Sequence, residues 1–454
     1  MQIFLGEHTN KKNFGYLINS LKVPLTFYTT HKKNLSCHPQ CILSSEINDS
    51  HQQIIFMPNK EEKKIAKQKK ILYYTYQPQN LLKNQIKKMR NIFLNCIDFL
   101  IQDKPTSKRN IILIKTDAIG DYLLFRNFLQ PLYKHYGKIT LVANQSNIHL
   151  IQTFDQDFLL DCIFIDRKKI LQNPFYRFKL IKKLKQHSYK LLINPLYSRD
   201  NISEQIVKNI IAEEKITSEG NTSNLTFREK SIYDQLYTKI FPSSPKVLFE
   251  FKRNQEFFEN LLNQKLQVEY YLDLKDTTLP YQIPQPYVTF FIGASMNYRK
   301  WNNEHFIKVG KFLIQKGYHI AICGGKEDAI NGDMIVQVLS HQNATNLCGK
   351  TSLSALAQVV YNGNHLLSNE TSCVHIAQAI RHNKVFVVSN GNHLHRFTPY
   401  PKGLGGKYYG VYHTIIQQNF DAYVLLSNYL INQSQLNINQ ISAEDVILTI
   451  QNTL

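Results

Sequence analysis

The feature that most constrains this chain is a recurrence, from residue 110 onward, of short unbroken apolar runs separated by longer amphipathic ones. Residues 111–114 read Ile-Ile-Leu-Ile. A strand wetted on one face alternates in polarity. A strand buried on both faces does not, and that pattern marks a parallel sheet covered by helices on two sides. A helix-like run over 122–136 follows, and strand-like runs recur at 139–143, 162–165 and 191–194. Strand and helix in alternation predict an α/β, doubly wound domain. Residues 276–286 hold three prolines and little apolar content, as a linker does. The alternation then restarts, with strands expected at 287–292, 318–323, 365–367 and 385–389. A helix over 304–316 is stopped by Gly317, a left-handed C-cap, and a last helix begins at Ser442 with Asp445 three residues on. The expected organisation is an N-terminal extension (1–105) and two doubly wound, Rossmann-like domains (106–280 and 281–454) facing a cleft.

The extension is less legible. Short apolar runs at 1–5, 54–57 and 71–76 read as strands of a small α/β unit. Over 81–101, Leu82, Ile86, Met89, Phe93, Ile97 and Leu100 recur at helical spacing beside Lys83, Lys87, Lys88 and Arg90. Such a helix either lies on a membrane surface or packs on its own domain. His31, Cys37, His38 and Cys41 hold two potential ligand types for zinc, but the usual second ligand pair is lacking and a polar loop is the plainer reading. Seven cysteines, an odd number without repeating spacing, fit reduced thiols. No apolar run reaches eighteen residues and the N-terminus has no apolar leader, so a cytoplasmic protein is expected, peripheral at most on the inner face of the membrane. The formal net charge of +20 favours anionic partners. Much of it gathers between Arg167 and Lys190, where no acid intervenes.

Four loops carry residues suited to chemistry. Thr116-Asp117-Ala118-Ile119-Gly120-Asp121 joins the first strand of the doubly wound region to its helix, the place where such sheets bind ligands. Asp121 there is a candidate general base, or else a helix N-cap. Gly293-Ala294-Ser295, followed by Arg299-Lys300-Trp301, offers small residues and a cation to a phosphate, or is a solvated loop anchored by the single tryptophan. Gly324-Gly325-Lys326-Glu327 ends another strand and reads equally as a glycine turn. Ser368-Asn369-Glu370-Thr371-Ser372-Cys373-Val374-His375 spans a strand end and a helix start. A carboxylate there can hold sugar hydroxyls while helix amides face a diphosphate; the alternative is capping, with His375 in the core.

In order and spacing these loops resemble glycosyltransferase family 9, the heptosyltransferases of lipopolysaccharide synthesis, over about three quarters of the chain, from Asn110 to Leu454. The family's Thr/Ser-x-x-Gly-Asp loop corresponds to Thr116–Asp121. Its Gly-Ala-Ser turn with Lys-Trp corresponds to Gly293–Trp301, and its Gly-Gly-x-x-Glu/Asp segment to Gly324, Gly325, Glu327 and Asp328. Its Asn-Leu-x-Gly-Lys-Thr-Ser-Leu stretch corresponds to 346–353, and its Ser-Asn/Asp-Asp-Ser/Thr-Gly-x-x-His motif to 368–375. Glu370 stands where Asp is usual and Ser372 where Gly is usual. Residues 390–401 replace the commoner Gly-Pro-Thr-Asp segment.

The resemblance implies a GT-B fold and an inverting glycosyltransferase that needs neither metal nor cofactor. It implies an ADP-heptose-like nucleotide-sugar donor and an anionic glycolipid or glycan acceptor at an anionic membrane surface, with no nucleic acid. Asp121 and Lys300 are then the expected catalytic residues. Gly293, Ser295, Glu327, Glu370, Thr371, Ser372 and His375 are expected at the donor, and Lys179, Lys182 and Lys183 at the acceptor. A nucleotide-sugar epimerase of similar fold and a non-catalytic nucleotide-sugar-binding protein are the alternatives.

Overall fold

The computed structural model describes residues 2–5, 26–29, 41–43, 53–56, 72–74, 94, 97–99, 101, 105–423, 426–427, 430 and 434–453. Near the N-terminus, β1 (Gln2–Leu5), β2 (Thr26–Thr29), β3 (Cys41–Leu43), β4 (Gln53–Phe56) and β5 (Leu72–Tyr74) form a parallel sheet in the order β3-β2-β1-β4-β5. The three apolar runs expected as strands are strands. Cys41 opens β3, whereas His31, Cys37 and His38 lie outside the described residues, as does most of the helix expected over 81–101.

The second sheet holds β6 (Ser107–Lys115), β7 (Ile139–Asn144), β8 (Leu159–Ile165), β9 (His187–Asn194), β10 (Ile211–Ser218) and β11 (Lys239–Phe241), in the order β11-β10-β9-β6-β7-β8. The third holds β12 (Tyr287–Phe291), β13 (His319–Cys323), β14 (Ala344–Asn346), β15 (His365–Asn369), β16 (Val385–Ser389) and β17 (Tyr408–Tyr412), in the order β14-β13-β12-β15-β16-β17. Every neighbouring pair in both sheets is parallel. Both therefore have the doubly wound order, in which the chain leaves the first strand in one direction and returns to its other side. The reversal falls between β6 and β9 in one sheet and between β12 and β15 in the other. The crevices at the carboxyl ends of those strands are where such folds place ligands.

Successive side chains of β6 point to opposite faces, and each face has its own core. Ile112 and Ile114 pack with Leu180, Ile181 and Leu184 of helix Pro174–Lys185 and with Ile206 of helix Asn201–Asn209. Ile111 and Leu113 belong to the other face, in a cluster that runs through Phe125, Phe128 and Phe258 to Cys373, Val387 and Tyr400 of the third-sheet region. The two doubly wound units thus share one apolar seam, on one face of the second sheet only.

One expectation is corrected. The helix expected over 122–136 is broken into Ile119–Leu123, a short 3-10 turn Arg126–Phe128 and Leu129–Tyr136. Arg126 turns inward to Asp155 at 2.7 Å, and Pro131 has no N–H to continue a helix from the preceding turn. Contact with the third-sheet region begins before the proline-rich linker: Tyr270 donates to the His375 carbonyl at 2.6 Å and the Leu272 amide to Ala379 at 2.9 Å.

A candidate active site at two facing sheet edges

β6 ends on Lys115, which is fully buried and donates to the Asp117 carboxylate at 2.7 Å. Arg167 closes the loop from the β8 side, donating to the Thr116 carbonyl at 2.9 Å and to Asp200 at 2.5 Å. Asp121 is not the N-cap of the helix that follows. Ala118 occupies that position, and Asp121 lies in the first turn, half-buried. Its carboxyl is pushed up to about 7, by burial first and then by the charge of Asp117. Lys115 and Arg396 oppose the rise, and Glu250 adds to it. A carboxyl raised toward neutrality has the proton affinity a general base needs there.

Across the crevice stands the helix Ser372–Ala379. Thr371 is its N-cap and makes no side-chain capping bond, so the first amides remain available to an anion. The two helices meet at Gly120 and His375. A Cβ on Gly120 would stand 2.6 Å from His375 Cδ2, so only glycine admits the ring. His375 is held by Tyr400, whose hydroxyl lies 2.5 Å from Nδ1. Burial, then the charge of Arg299, pulls His375 down to about 3, so the ring is neutral. It is a wall between the two units rather than a charged phosphate ligand.

Lys300, from the loop after β12, pairs with Asp328 at 2.6 Å and is about a quarter exposed. Asp328 is buried and also accepts from the Gly325 amide at 2.9 Å. It occupies the space that glycine leaves at 293, where a Cβ would meet its Oδ2 at 2.4 Å. Gly293 therefore makes room for a carboxylate of the protein itself. Glu327, the expected donor ligand, is exposed, and its neighbour Asp328 is the one turned inward. Ser295 is exposed at the rim.

Glu370 is buried at the end of β15. It accepts from the Ser389 hydroxyl, and Arg299 donates to its backbone carbonyl. Its Oε1 has no hydrogen-bond partner, with the Arg299 guanidinium 3.5 Å away. Burial raises this carboxyl, and Arg299 and Ser389 oppose the rise. Asn369 fixes the geometry by accepting from the Trp301 amide at 3.1 Å and donating to the Ile292 carbonyl at 2.8 Å. The stretch 346–353 is a supporting turn: the Gly349 amide donates to Gly324 at 3.0 Å, and Ser352 caps the next helix.

The expected acceptor residues are not in the crevice. Lys179, Lys182 and Lys183 are exposed on helix Pro174–Lys185, on the face of the second sheet opposite the shared seam. A run of lysines in a sequence shows charge but not facing. Besides Lys300 and Arg299, Arg167 and Arg396 are cations that reach the crevice. Arg396 comes from the loop after β16 and crosses to the other unit, donating to Glu250 at 2.8 Å and to the Ser198 hydroxyl at 2.7 Å.

Two doubly wound units, each presenting its switch-point loops to the other, define the GT-B class of glycosyltransferase fold. The chain belongs to glycosyltransferase family 9 (heptosyltransferase), whose model matches residues 177–403, half of the chain. Lipooligosaccharide heptosyltransferase 2 of Haemophilus ducreyi is 29% identical over 119 residues, 25% of this chain and 34% of that protein. Lipopolysaccharide heptosyltransferase 2 of Escherichia coli is 26% identical over the same length. The chain thus spans about a third of the length of the curated relatives it matches. Among solved structures, E. coli heptosyltransferase WaaC with ADP-2-deoxy-2-fluoro heptose aligns with a TM-score of 0.57 at 16% identity, over 76% of this chain and 100% of that one. A glycosyl transferase family 9 protein from Veillonella parvula aligns with a TM-score of 0.56 at 15% identity, over 77% and 97%. These two likenesses concern the fold.

Proposed function

We propose that the chain moves a sugar, a heptose or a related one, from a nucleoside diphosphate-sugar to a hydroxyl of an anionic surface glycan or glycolipid such as lipopolysaccharide, with inversion and without a metal. The observation that carries this reading is the pairing of opposite chemistries across one crevice. A carboxylate poised near neutrality stands at the end of β6. An uncapped helix N-terminus, Lys300 and Arg299 stand at the ends of β12 and β15. The WaaC structure, described with an ADP-heptose analogue, supplies the donor class.

In the proposed step the acceptor oxygen attacks the anomeric carbon from the Asp121 side, and its proton passes to Asp121. The bond from that carbon to the nucleoside diphosphate breaks, and the electron pair leaves with the phosphate. General-base help of this kind is worth about 10²–10⁴-fold. Lys300 leaves Asp328 in part to meet the growing phosphate charge, with Thr371, Ser372 and the helix amides donating hydrogen bonds. The buried, unpartnered Oε1 of Glu370 is suited to a hydroxyl of the ribose or the sugar that reaches it. Arg167 takes the acceptor-side role first assigned to the helix lysines.

A thermal-shift series against ADP-, GDP-, UDP- and CMP-sugars tests the donor half. One class should stabilise the protein by about 2.7 kcal/mol at a hundredfold excess over its dissociation constant. No shift with any of them would refute nucleotide-sugar binding. Turnover of the donor to an epimer with no acceptor present would replace transfer by epimerisation.

A further inference from the structure

Helix Pro174–Lys185 is assembled against the usual rule. Its arginine points in and its phenylalanines point out. Asn173 caps it, accepting from the Tyr176 amide at 2.9 Å, and Pro174 opens its first turn. Arg177 is fully buried, held by Asp98 at 2.8 and 2.5 Å and by Gln205 at 2.9 Å. Asp98 accepts from Asn209 as well, at 2.8 Å, and Lys185 donates to the carbonyls of Asp98 and Ile101 at 3.1 and 2.7 Å. The helix is therefore pinned, and its outer face is not free to rotate inward.

That outer face carries Phe175, 66% exposed, and Phe178, 41% exposed, with Lys179, Lys182 and Lys183 beside them and exposed Lys168 and Lys169 just before. The Lys179 ammonium lies 4.4 Å from the centre of the Phe175 ring. Phe99, 76% exposed, follows in sequence the aspartate that holds Arg177. Singly exposed apolar residues need no explanation, but several exposed rings on and beside one helix do. No acid occurs in the sequence between Arg167 and Lys190, and the nearby acids are engaged, Asp166 by Lys169 at 3.4 Å and Asp98 by Arg177, so positive charge predominates around the rings. Rings that prefer hydrocarbon, interleaved with lysines that prefer phosphate, match the boundary layer of an anionic bilayer.

We propose that this face, Phe175, Phe178 and Phe99 with the lysines of 168–183, is the surface by which the protein lies on an anionic lipid membrane. The inference deepens the proposed function, resting on it only for the reason a membrane is visited: an acceptor carried on lipid is met there. The docking face is on the outer side of the second sheet, so the crevice between Asp121 and Ser372 stays open while the protein is bound.

Flotation with vesicles tests it. The full chain should float with phosphatidylglycerol–phosphatidylcholine vesicles at low salt and be released at high salt, because screening shortens to ~3 Å at 1 M. The Phe175→Ser/Phe178→Ser variant and the Lys179→Gln/Lys182→Gln/Lys183→Gln variant should each lose about tenfold or more in partitioning. A control, Lys311→Gln/Lys316→Gln, removes two exposed lysines from the third-sheet region and should float like the wild type. A second measurement uses Phe175→Trp. The native Trp301 is buried, so the new tryptophan should supply a blue shift on anionic vesicles. Nucleotide-sugar stabilisation, measured on the same proteins, should be unchanged. Failure of that stabilisation in the wild type would count against the proposed function and leave the membrane face standing. The membrane face is overturned if the wild type floats equally with phosphatidylcholine alone or not at all. It is overturned equally if the ring and lysine variants float like the wild type, or if Phe175→Trp gives no blue shift.

Discussion

Replacing Arg396 by Gln should move the pH at which Asp121 becomes active, and the direction follows from the charges around it. Asp121 is faced by Asp117 and Lys115 from its own loop, by Glu250 from helix Glu250–Leu262 and by Arg396 from the loop after β16. Arg396 lowers the proton affinity of Asp121, and Glu250 raises it. Arg396→Gln removes the cation and leaves the Glu250 charge less compensated, with only Lys115 and Arg253 still opposing it, so both changes push Asp121 upward from about 7. An opposite charge close by is worth about 1–3 pH units, and Arg396 acts on Asp121 more weakly than Asp117, Lys115 or Glu250, which argues for the lower end. A rise of about one unit, or about 1.4 kcal/mol, would cut the ionised fraction at pH 7 from about a half to about a tenth. The ratio of kcat to KM should then fall about fivefold at pH 7 and recover by about pH 9. Glu250→Gln should act in the opposite sense, moving the acid limb to lower pH. The assay is the pH profile of sugar transfer for the wild type and both variants. A pH-independent loss in Arg396→Gln, or shifts of the same sign in both variants, would refute the electrostatic argument.

Other consequences can be measured separately. Lys300→Ala should weaken donor binding and turnover together, since its charge would face the diphosphate before and during bond breaking; calorimetry giving unchanged affinity would place Lys300 outside the donor site. Gly120→Ala puts a methyl 2.6 Å from His375 Cδ2 and should cost at least about tenfold in turnover by spreading the two helices; a wild-type rate would mean the contact is not needed for catalysis. Asp98→Ala leaves the buried Arg177 without its carboxylate and should destabilise by about 3–5 kcal/mol in denaturant unfolding; a loss under about 1 kcal/mol would mean that water reaches the guanidinium.

What the sequence revealed and what it concealed divide along the range of the interactions. Asp121 and Lys300 were legible because each lies just past an apolar strand, and a doubly wound sheet puts such positions at its ligand edge. Asp328 was passed over for Glu327 because two adjacent acids look alike until the chain turns, and only one of them fits beside Gly293. The bond from Arg396 to Ser198 spans 198 positions and no local pattern could announce it. The same holds for Asn369, which ties β15 to Trp301 across 68. The acidic alternation of β10 (Ile211–Ser218), exposed on much of its length, hid a strand that lies near the sheet edge. In the N-terminal region, Thr26–Thr29 and Cys41–Leu43 are too short and mixed to stand out, although neighbouring strands pair with them in register. The lysines of 179–183 were visible as charge. Which way they face depends on Arg177 being buried, and that depends on Asp98, 79 positions away.

In the proposed reaction Asp121 takes a proton from an acceptor hydroxyl while a nucleoside diphosphate departs from the opposite edge of the crevice. The most direct test incubates the chain with ADP-heptose and a heptose-deficient lipopolysaccharide acceptor, following ADP release and the mass of the acceptor together. The wild type should release one ADP for each heptose gained by the acceptor. Asp121→Asn should bind the donor with the same thermal shift but turn over about 10²-fold more slowly or less. ADP release without gain of acceptor mass, or an Asp121→Asn variant as fast as the wild type, would contradict the account.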